Sequence, residues 1–182
     1  MIQAKELWTT EETATLIRLL EKVKADNGWW PNEECMRAAH GTMSAWAPEL
    51  VFWGAHYHFP RDSILLTTYD GGIEEYRGRW HIPGGYGSVK DVSFEAACSR
   101  VSLAEVGVDV IARETLGLPY MWHPGEHPYG RPLSVFTLVL ARGIIQETDT
   151  RRFFGRHELP DNLITPHRRF AEQFIASDGF VE

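Results

Sequence analysis

The chain has 182 residues, of which 43% are apolar, and a formal net charge of −7 at pH 7. This size allows one globular domain with a sizeable core and a small extension. The negative charge argues against nucleic acid as a partner, because phosphate backbones bind basic surfaces. No apolar run has the length of a membrane span and no signal peptide is recognisable, so we expect a cytoplasmic protein without membrane contact. The cysteines, Cys35 and Cys98, are then expected to be free buried thiols.

Residues 1–50 are predicted to form an N-terminal helical extension. Thr9 and Glu12 have the spacing of a capping box, and an apolar stripe follows at helical spacing: Leu16, Leu19, Leu20 and Val23. A second helix is predicted over 33–39. The extension is also rich in tryptophan, so it either packs on the main domain or forms a lid or a homodimer contact.

Residues 51–182 are predicted to form the main domain, in which strands flank one helix and a second helix follows near the end. Runs of apolar and β-branched residues predict strands at 50–53, 63–69, 80–83, 108–112, 115–121 and 133–141, with a short aromatic strand at 152–154. Capping signals predict helices over 93–105 and 165–177.

The most informative stretch links one strand to the first of these helices. Gly84 and Gly85 end the apolar run 80–83, and Ser93 is a suitable N-cap for the helix. Gly107 supplies the helix stop. Arg100 and Glu105 lie on adjoining faces near the last turns, so Arg100 can point toward the glycines.

This stretch resembles the Nudix box, G-x5-E-x7-R-E-U-x-E-E-x-G-U, where U is aliphatic. Arg100, Glu105 and Gly107 match the pattern, and Gly85 matches its first glycine at a spacing one residue longer. Three acidic positions hold other residues: Val92, Val101 and Ala104. Segments 80–85 and 100–107 resemble the variant box of the GDP-mannose mannosyl hydrolases, which also has apolar residues at two of these positions.

The resemblance implies an α/β fold, namely a Nudix-like α/β/α sandwich with a mixed sheet. It also implies a metal site for Mg²⁺, with Mn²⁺ as an alternative ion. By their positions in the box, Glu105 and the Gly85 carbonyl are the predicted metal ligands, since Mg²⁺ takes hard oxygen ligands. In the family, the arginine braces the loop through the first glutamate. Val92 removes that partner, so Arg100 needs Asp91 or a loop carbonyl instead.

Other residues are candidates for substrate binding and proton transfer. Arg61, Arg77 and Arg79 flank strands that enter the site, and a guanidinium suits paired phosphate oxygens. The loop 146–150, where variant hydrolases carry a histidine, holds Glu147 and Asp149 instead. Either carboxylate can serve as general base or second metal ligand, and Glu147 is preferred.

Two functions are compatible with these residues. The first is a Mg²⁺-dependent hydrolase of a nucleoside diphosphate derivative, such as a GDP-mannose-like nucleotide-sugar. The second is a Nudix-fold module that binds a nucleotide or regulates without catalysis, which the missing carboxylates favour.

Overall fold

The computed structural model describes residues 9–25, 35, 45–60, 62–88, 90–123, 125–128 and 131–176. These contain three long helices: α1 (Thr10–Ala25), α2 (Phe94–Glu105) and α3 (Thr165–Ala176). They also contain seven strands: β1 (Trp46–Val51), β2 (Ser63–Thr68), β3 (Trp80–His81), β4 (Val110–Thr115), β5 (Tyr120–Met121), β6 (Leu133–Ala141) and β7 (Arg151–Gly155). Apart from residue 35, the helix predicted over 33–39 lies outside the described residues.

The strands form two sheets. In the first, β6 pairs in parallel with β1 and antiparallel with β4 and β5. In the second, β2 lies between β3 and β7, antiparallel to both. The parallel β1–β6 pair makes the first sheet mixed and confirms the predicted fold class. Because β1 begins at Trp46, residues 46–50, which sequence analysis assigns to the extension, are part of this sheet.

The two later helices cover opposite faces of the strands. Successive side chains of a strand point to opposite faces, and β2 divides its apolar residues accordingly. Ile64 and Leu66 belong to one buried cluster with Phe174 of α3, whereas Leu65 belongs to another with Val101 of α2. The result is the predicted arrangement of helix, sheet and helix.

The predicted ends of α2 are confirmed by local contacts. The Ser93 hydroxyl accepts a hydrogen bond from the Ala96 backbone N–H at 3.1 Å, so Ser93 caps the helix. Gly107 has a φ of +76°, a left-handed conformation that ends a helix. One boundary prediction is wrong: β4 extends to Thr115, and only Tyr120–Met121 follows as β5. Gly117 lies between them with a φ of +71° and turns the chain.

Helix α1 begins with the predicted capping box. The Thr9 N–H donates to Glu12 Oε2 at 2.7 Å, and the Glu12 N–H donates to Thr9 Oγ1 at 3.1 Å. The apolar side chains that follow, Leu16, Leu19 and Leu20, are 39–46% exposed, so the described part of the domain does not bury them. No helix among the described residues is long and apolar enough to cross a membrane.

Candidate active site

The loop after β3 runs against β1, and a glycine makes this contact possible. The Leu50 N–H donates to the Pro83 carbonyl at 2.7 Å, and Gly84 forms a β-bridge with Glu49. A Cβ atom at position 84 would overlap Glu49 Oε2. Glu49 is only 4% exposed and has little room to move away. Glycine is therefore required at position 84.

Glu105, the last residue of α2, contacts the same glycine. Its Oε2 accepts hydrogen bonds from the Gly84 N–H and the Thr67 hydroxyl, each at 3.2 Å. Because the hydroxyl has one proton and gives it to Glu105, its oxygen accepts from His81 Nε2, which lies 3.1 Å away. A chain of hydrogen bonds thus runs from β3 through β2 to the end of α2.

Burial shifts the pKa values at both ends of this chain. Burial, with His167 nearby, lowers the pKa of His81 to about 3, so its ring is neutral. Burial, helped by the carboxylates of Glu49 and Asp70, raises the pKa of Glu105 to about 8 despite the two hydrogen bonds that favour its charged form. At neutral pH Glu105 therefore holds a proton unless a cation compensates its charge.

A cavity of about 100 Å³ opens beside this chain. Its walls include the rings of Tyr69, Tyr76 and Trp122, and its polar groups include Glu49, His81 and His167. Of the described residues that line it, none is a lysine or an arginine. A phosphate group in this cavity would meet no lysine or arginine side chain among these described residues.

Arg100 fastens the glycine-rich loop to α2. Its Nε and Nη2 atoms donate to the two carboxylate oxygens of Asp91, each at 2.8 Å. Nη2 also donates to the Tyr86 carbonyl at 2.8 Å. Both kinds of partner predicted for Arg100, Asp91 and a loop carbonyl, are present, and its contacts position the loop.

The three altered box positions provide no carboxylate to the site. Val92 is 93% exposed and Ala104 is exposed, whereas Val101 is buried, with a methyl group 3.6 Å from where a Gly85 Cβ would lie. Within the described ranges there is no group of three or more His, Cys, Asp or Glu side chains arranged to hold a metal ion. The protein thus lacks a preformed cage for a cation in this part of the chain.

The donor set nevertheless fits one type of cation site. Mg²⁺ commonly takes one or two protein carboxylates and completes its six ligands with water and phosphate oxygens. Glu105 supplies one carboxylate, and its pKa is raised mainly by burial and further by the nearby acidic groups of Glu49 and Asp70, whose repulsion a cation would relieve. These residues fit a Mg²⁺ ion that is shared with a phosphate-bearing ligand, and they do not fit an ion held by the protein alone.

Two of the predicted phosphate-binding arginines, Arg77 and Arg79, are not among the described residues that line the cavity. Arg79 donates to the backbone carbonyls of Asn162 and Leu163, each at 3.3 Å. Arg77 is exposed in the turn before β3, and neither arginine belongs to the described lining of the cavity. Arg61 lies outside the described residues. The backbone contacts of Arg79 anchor the loop before α3 to the start of β3.

The loop 146–150, which carries the predicted general base, lies beside the end of α2. Arg151 holds it there, because its Nε donates to a loop carbonyl at 2.9 Å and its Nη1 donates to the Val106 carbonyl. Glu147 accepts a backbone N–H from β7 at 2.7 Å. Glu147 and Asp149 are both exposed, and neither is among the described residues that line the cavity.

Sequence analysis missed three polar residues that the fold brings to the cavity: Glu49, His81 and His167. Each is at most 4% exposed. Glu49 and His81 occur within apolar strand segments, where a buried charged or polar group is costly and therefore unusual. A charged or polar residue inside an apolar strand segment was therefore the sequence feature that could have identified Glu49 and His81. His167, in the first turn of α3, gave no comparable signal.

The mixed sheet, the helices on its two sides and the glycine bend that contacts the end of α2 have the Nudix-like arrangement that sequence analysis predicts. No protein-family model and no curated protein matches the sequence. Solved structures do match.

An ADP-ribose pyrophosphatase from Streptococcus suis is 19% identical, with a TM-score of 0.51, over 77% of this chain and 95% of that chain. The Nudix domain of Shewanella oneidensis NrtR, solved with ADP ribose, is 16% identical, with a TM-score of 0.52, over 84% of this chain and 94% of that chain. A Nudix hydrolase from Nitrosomonas europaea is 17% identical, with a TM-score of 0.51, over 74% of this chain and 71% of that chain. At these identities the likeness establishes the Nudix fold.

Proposed function

We propose that this protein is a Nudix-type hydrolase of a nucleoside diphosphate derivative, such as a nucleotide-sugar, and that Mg²⁺ binds together with the substrate. The observation that carries the proposal is the position of Glu105, whose carboxyl group accepts the N–H of Gly84, a residue that lines the cavity. The fold shared with an ADP-ribose pyrophosphatase supports the substrate class.

In this proposal Glu105 and the Gly85 carbonyl hold the cation, which would neutralise the phosphate oxygens when bound. Thr67 and Gly84 orient the Glu105 carboxyl group through their hydrogen bonds. Arg100 positions the loop that carries Gly85. Glu147, which lies in the loop beside the end of α2, accepts the proton of the attacking water. Asp149 of the same loop is the alternative base.

The test is turnover of ADP-ribose and a panel of nucleotide-sugars with Mg²⁺, followed by chromatography of the products. Glu105→Gln is expected to lower kcat/KM by more than about 100-fold, because a metal's charge stabilisation is worth several kcal/mol. Glu95→Gln, an exposed change in the first turn of the same helix, should leave it unchanged. Turnover that survives Glu105→Gln would contradict the proposed role of Glu105.

A second candidate is a module that binds such a ligand without hydrolysing it. It is favoured by the three altered box positions and by the Nudix domain of NrtR, which was solved with ADP ribose. Saturable binding without product, for every substrate and for both Mg²⁺ and Mn²⁺, would select this candidate. NrtR has also been solved with a 27mer DNA, so the expected lack of nucleic-acid binding remains a prediction.

A further inference from the structure

His167 places a hydrogen-bond donor in the cavity without a partner in the described part of the chain. The ring is 4% exposed and packs near Trp122 and Phe136, with centroid distances of 5.7 and 6.1 Å. Its Nδ1 accepts the Ile82 N–H at 3.0 Å, so the ring proton is on Nε2. Nε2 is buried and has no hydrogen-bond partner among the described residues. Such an unsatisfied buried group is costly and calls for an explanation.

A buried acceptor lies next to this donor. Glu49 Oε1 is 3.7 Å from His167 Nε2, too far for a hydrogen bond between them. The same oxygen accepts from the Ser134 hydroxyl at 2.8 Å, and that hydroxyl accepts from Trp122 Nε1 at 2.8 Å. The carboxylate is thus held in place by β6 and the segment that follows β5. The cavity therefore has a fixed donor beside a fixed acceptor.

Aromatic side chains line the same cavity. The rings of Tyr69 and Tyr76 meet edge to face at 5.9 Å, and Trp122 belongs to the same lining. Aromatic walls bind planar rings through stacking and edge contacts. A water molecule could satisfy the two polar groups, but it would leave the apolar walls uncovered.

We infer that this end of the cavity is a nucleobase subsite. An N–H of the base donates to Glu49. The neighbouring ring nitrogen or carbonyl oxygen of the base accepts a hydrogen bond from His167 Nε2–H. This inference rests on the proposed function in that the base belongs to the same nucleoside diphosphate ligand. Its binding contacts involve neither the cation nor Glu105, so the two ideas can fail separately.

The experiment measures binding of free guanosine and adenosine by calorimetry, without metal or phosphate. The analogue 1-methylguanosine lacks the N1–H beside O6, although it keeps the 2-amino group, and N6,N6-dimethyladenosine lacks both N6–H atoms beside N1; these are the hydrogens that the inference assigns to Glu49. We expect at least one parent nucleoside to bind saturably and its blocked analogue to bind about tenfold or more weakly. Glu49→Met, which keeps a similar side-chain length and removes both oxygen acceptors, should weaken binding of the parent nucleoside to about the level of its blocked analogue. Glu114→Met, an exposed change on β4, should preserve the difference between parent and analogue.

His167→Phe is a second variant, and its near-UV circular dichroism must match the wild type before it is used. This variant should bind the parent nucleoside more weakly than the wild type does, because the Nε2 donor is removed. If no nucleoside binds, Glu49 and His167 form hydrogen bonds with water only, and the inference is overturned. Equal binding by wild type and Glu49→Met would also overturn it, whatever the outcome for hydrolysis. A protein that binds nucleosides this way and turns over no substrate would support the inference and contradict the hydrolase proposal.

Discussion

The carboxyl group of Glu105, at the end of α2, accepts the backbone N–H of Gly84 at 3.2 Å. Gly84 also faces the buried Glu49 side chain, with no space for a Cβ atom between them. A single glycine thus separates two acidic groups of which one raises the pKa of the other. Two acidic groups this close suit a ligand that brings a cation.

Gly84→Ala should destabilise the protein by about 1–3 kcal/mol, because the new methyl group must displace a buried carboxylate or the Pro48 carbonyl. Urea unfolding measures the change. Gly72→Ala is the matched control, since a Cβ there meets nothing within 4 Å and the backbone is not left-handed. Equal stability of the two variants would mean that the contact between Gly84 and Glu49 is not tight in solution.

The stability of the protein should depend on pH through Glu105. The folded pKa is about 8 and the ordinary value is 4.5, so between them the folded state binds a proton that the unfolded chain releases. Stability therefore falls as pH rises through this interval, by at most about 1.4 kcal/mol per pH unit. Glu105→Gln should remove this slope.

His81 contributes to pH dependence with the opposite sign. Its folded pKa is about 3 against an ordinary 6.5, so its neutral form favours folding above pH 6.5 and stability is lost as pH falls below that value. The informative quantity is the difference in unfolding free energy between wild type and Glu105→Gln, because the part of the His81 contribution that does not depend on Glu105 cancels in it. If this difference in unfolding free energy stays constant between pH 4.5 and about pH 8, the result would contradict the raised pKa of Glu105.

Mg²⁺ alone should bind too weakly for a saturable calorimetric signal, because one carboxylate is a poor site without phosphate oxygens. Adding a non-hydrolysable ADP-ribose analogue should produce saturable Mg²⁺ binding. Its apparent affinity should rise as pH increases toward about 8, because binding releases the Glu105 proton. Tight binding of Mg²⁺ to the protein without the analogue would show that further ligands exist.

Arg100→Lys should loosen the glycine-rich loop. Lysine keeps the charge but cannot make the paired hydrogen bonds that Arg100 makes with Asp91. We expect faster amide hydrogen exchange over 86–91 and a loss of about 1 kcal/mol or less, since Arg100 is 42% exposed and solvent screens the pair. Arg113→Lys, an exposed change on β4, should have neither effect.

Much of the fold could be predicted because its signals are local. The Ser93 cap, the Gly107 stop and the capping box of Thr9 and Glu12 are short-range patterns, and each is confirmed by its own contacts. The position of Glu105 relative to the glycine bend was also predictable, because the motif combines both in one stretch of chain. The predicted metal ligands and general base remain predictions.

The sequence by itself thus determined the class of fold, the limits of α2 and the proximity of Glu105 to the glycine bend. Only the tertiary structure decided that Glu49 of β1 and His167 of α3 meet in the same aromatic cavity. The tertiary structure also decided that the guanidinium of Arg79 donates to two backbone carbonyls, while its role in substrate binding remains a prediction. The physical reason is that caps and apolar periodicity act over a few residues, whereas these contacts depend on how distant strands and helices pack.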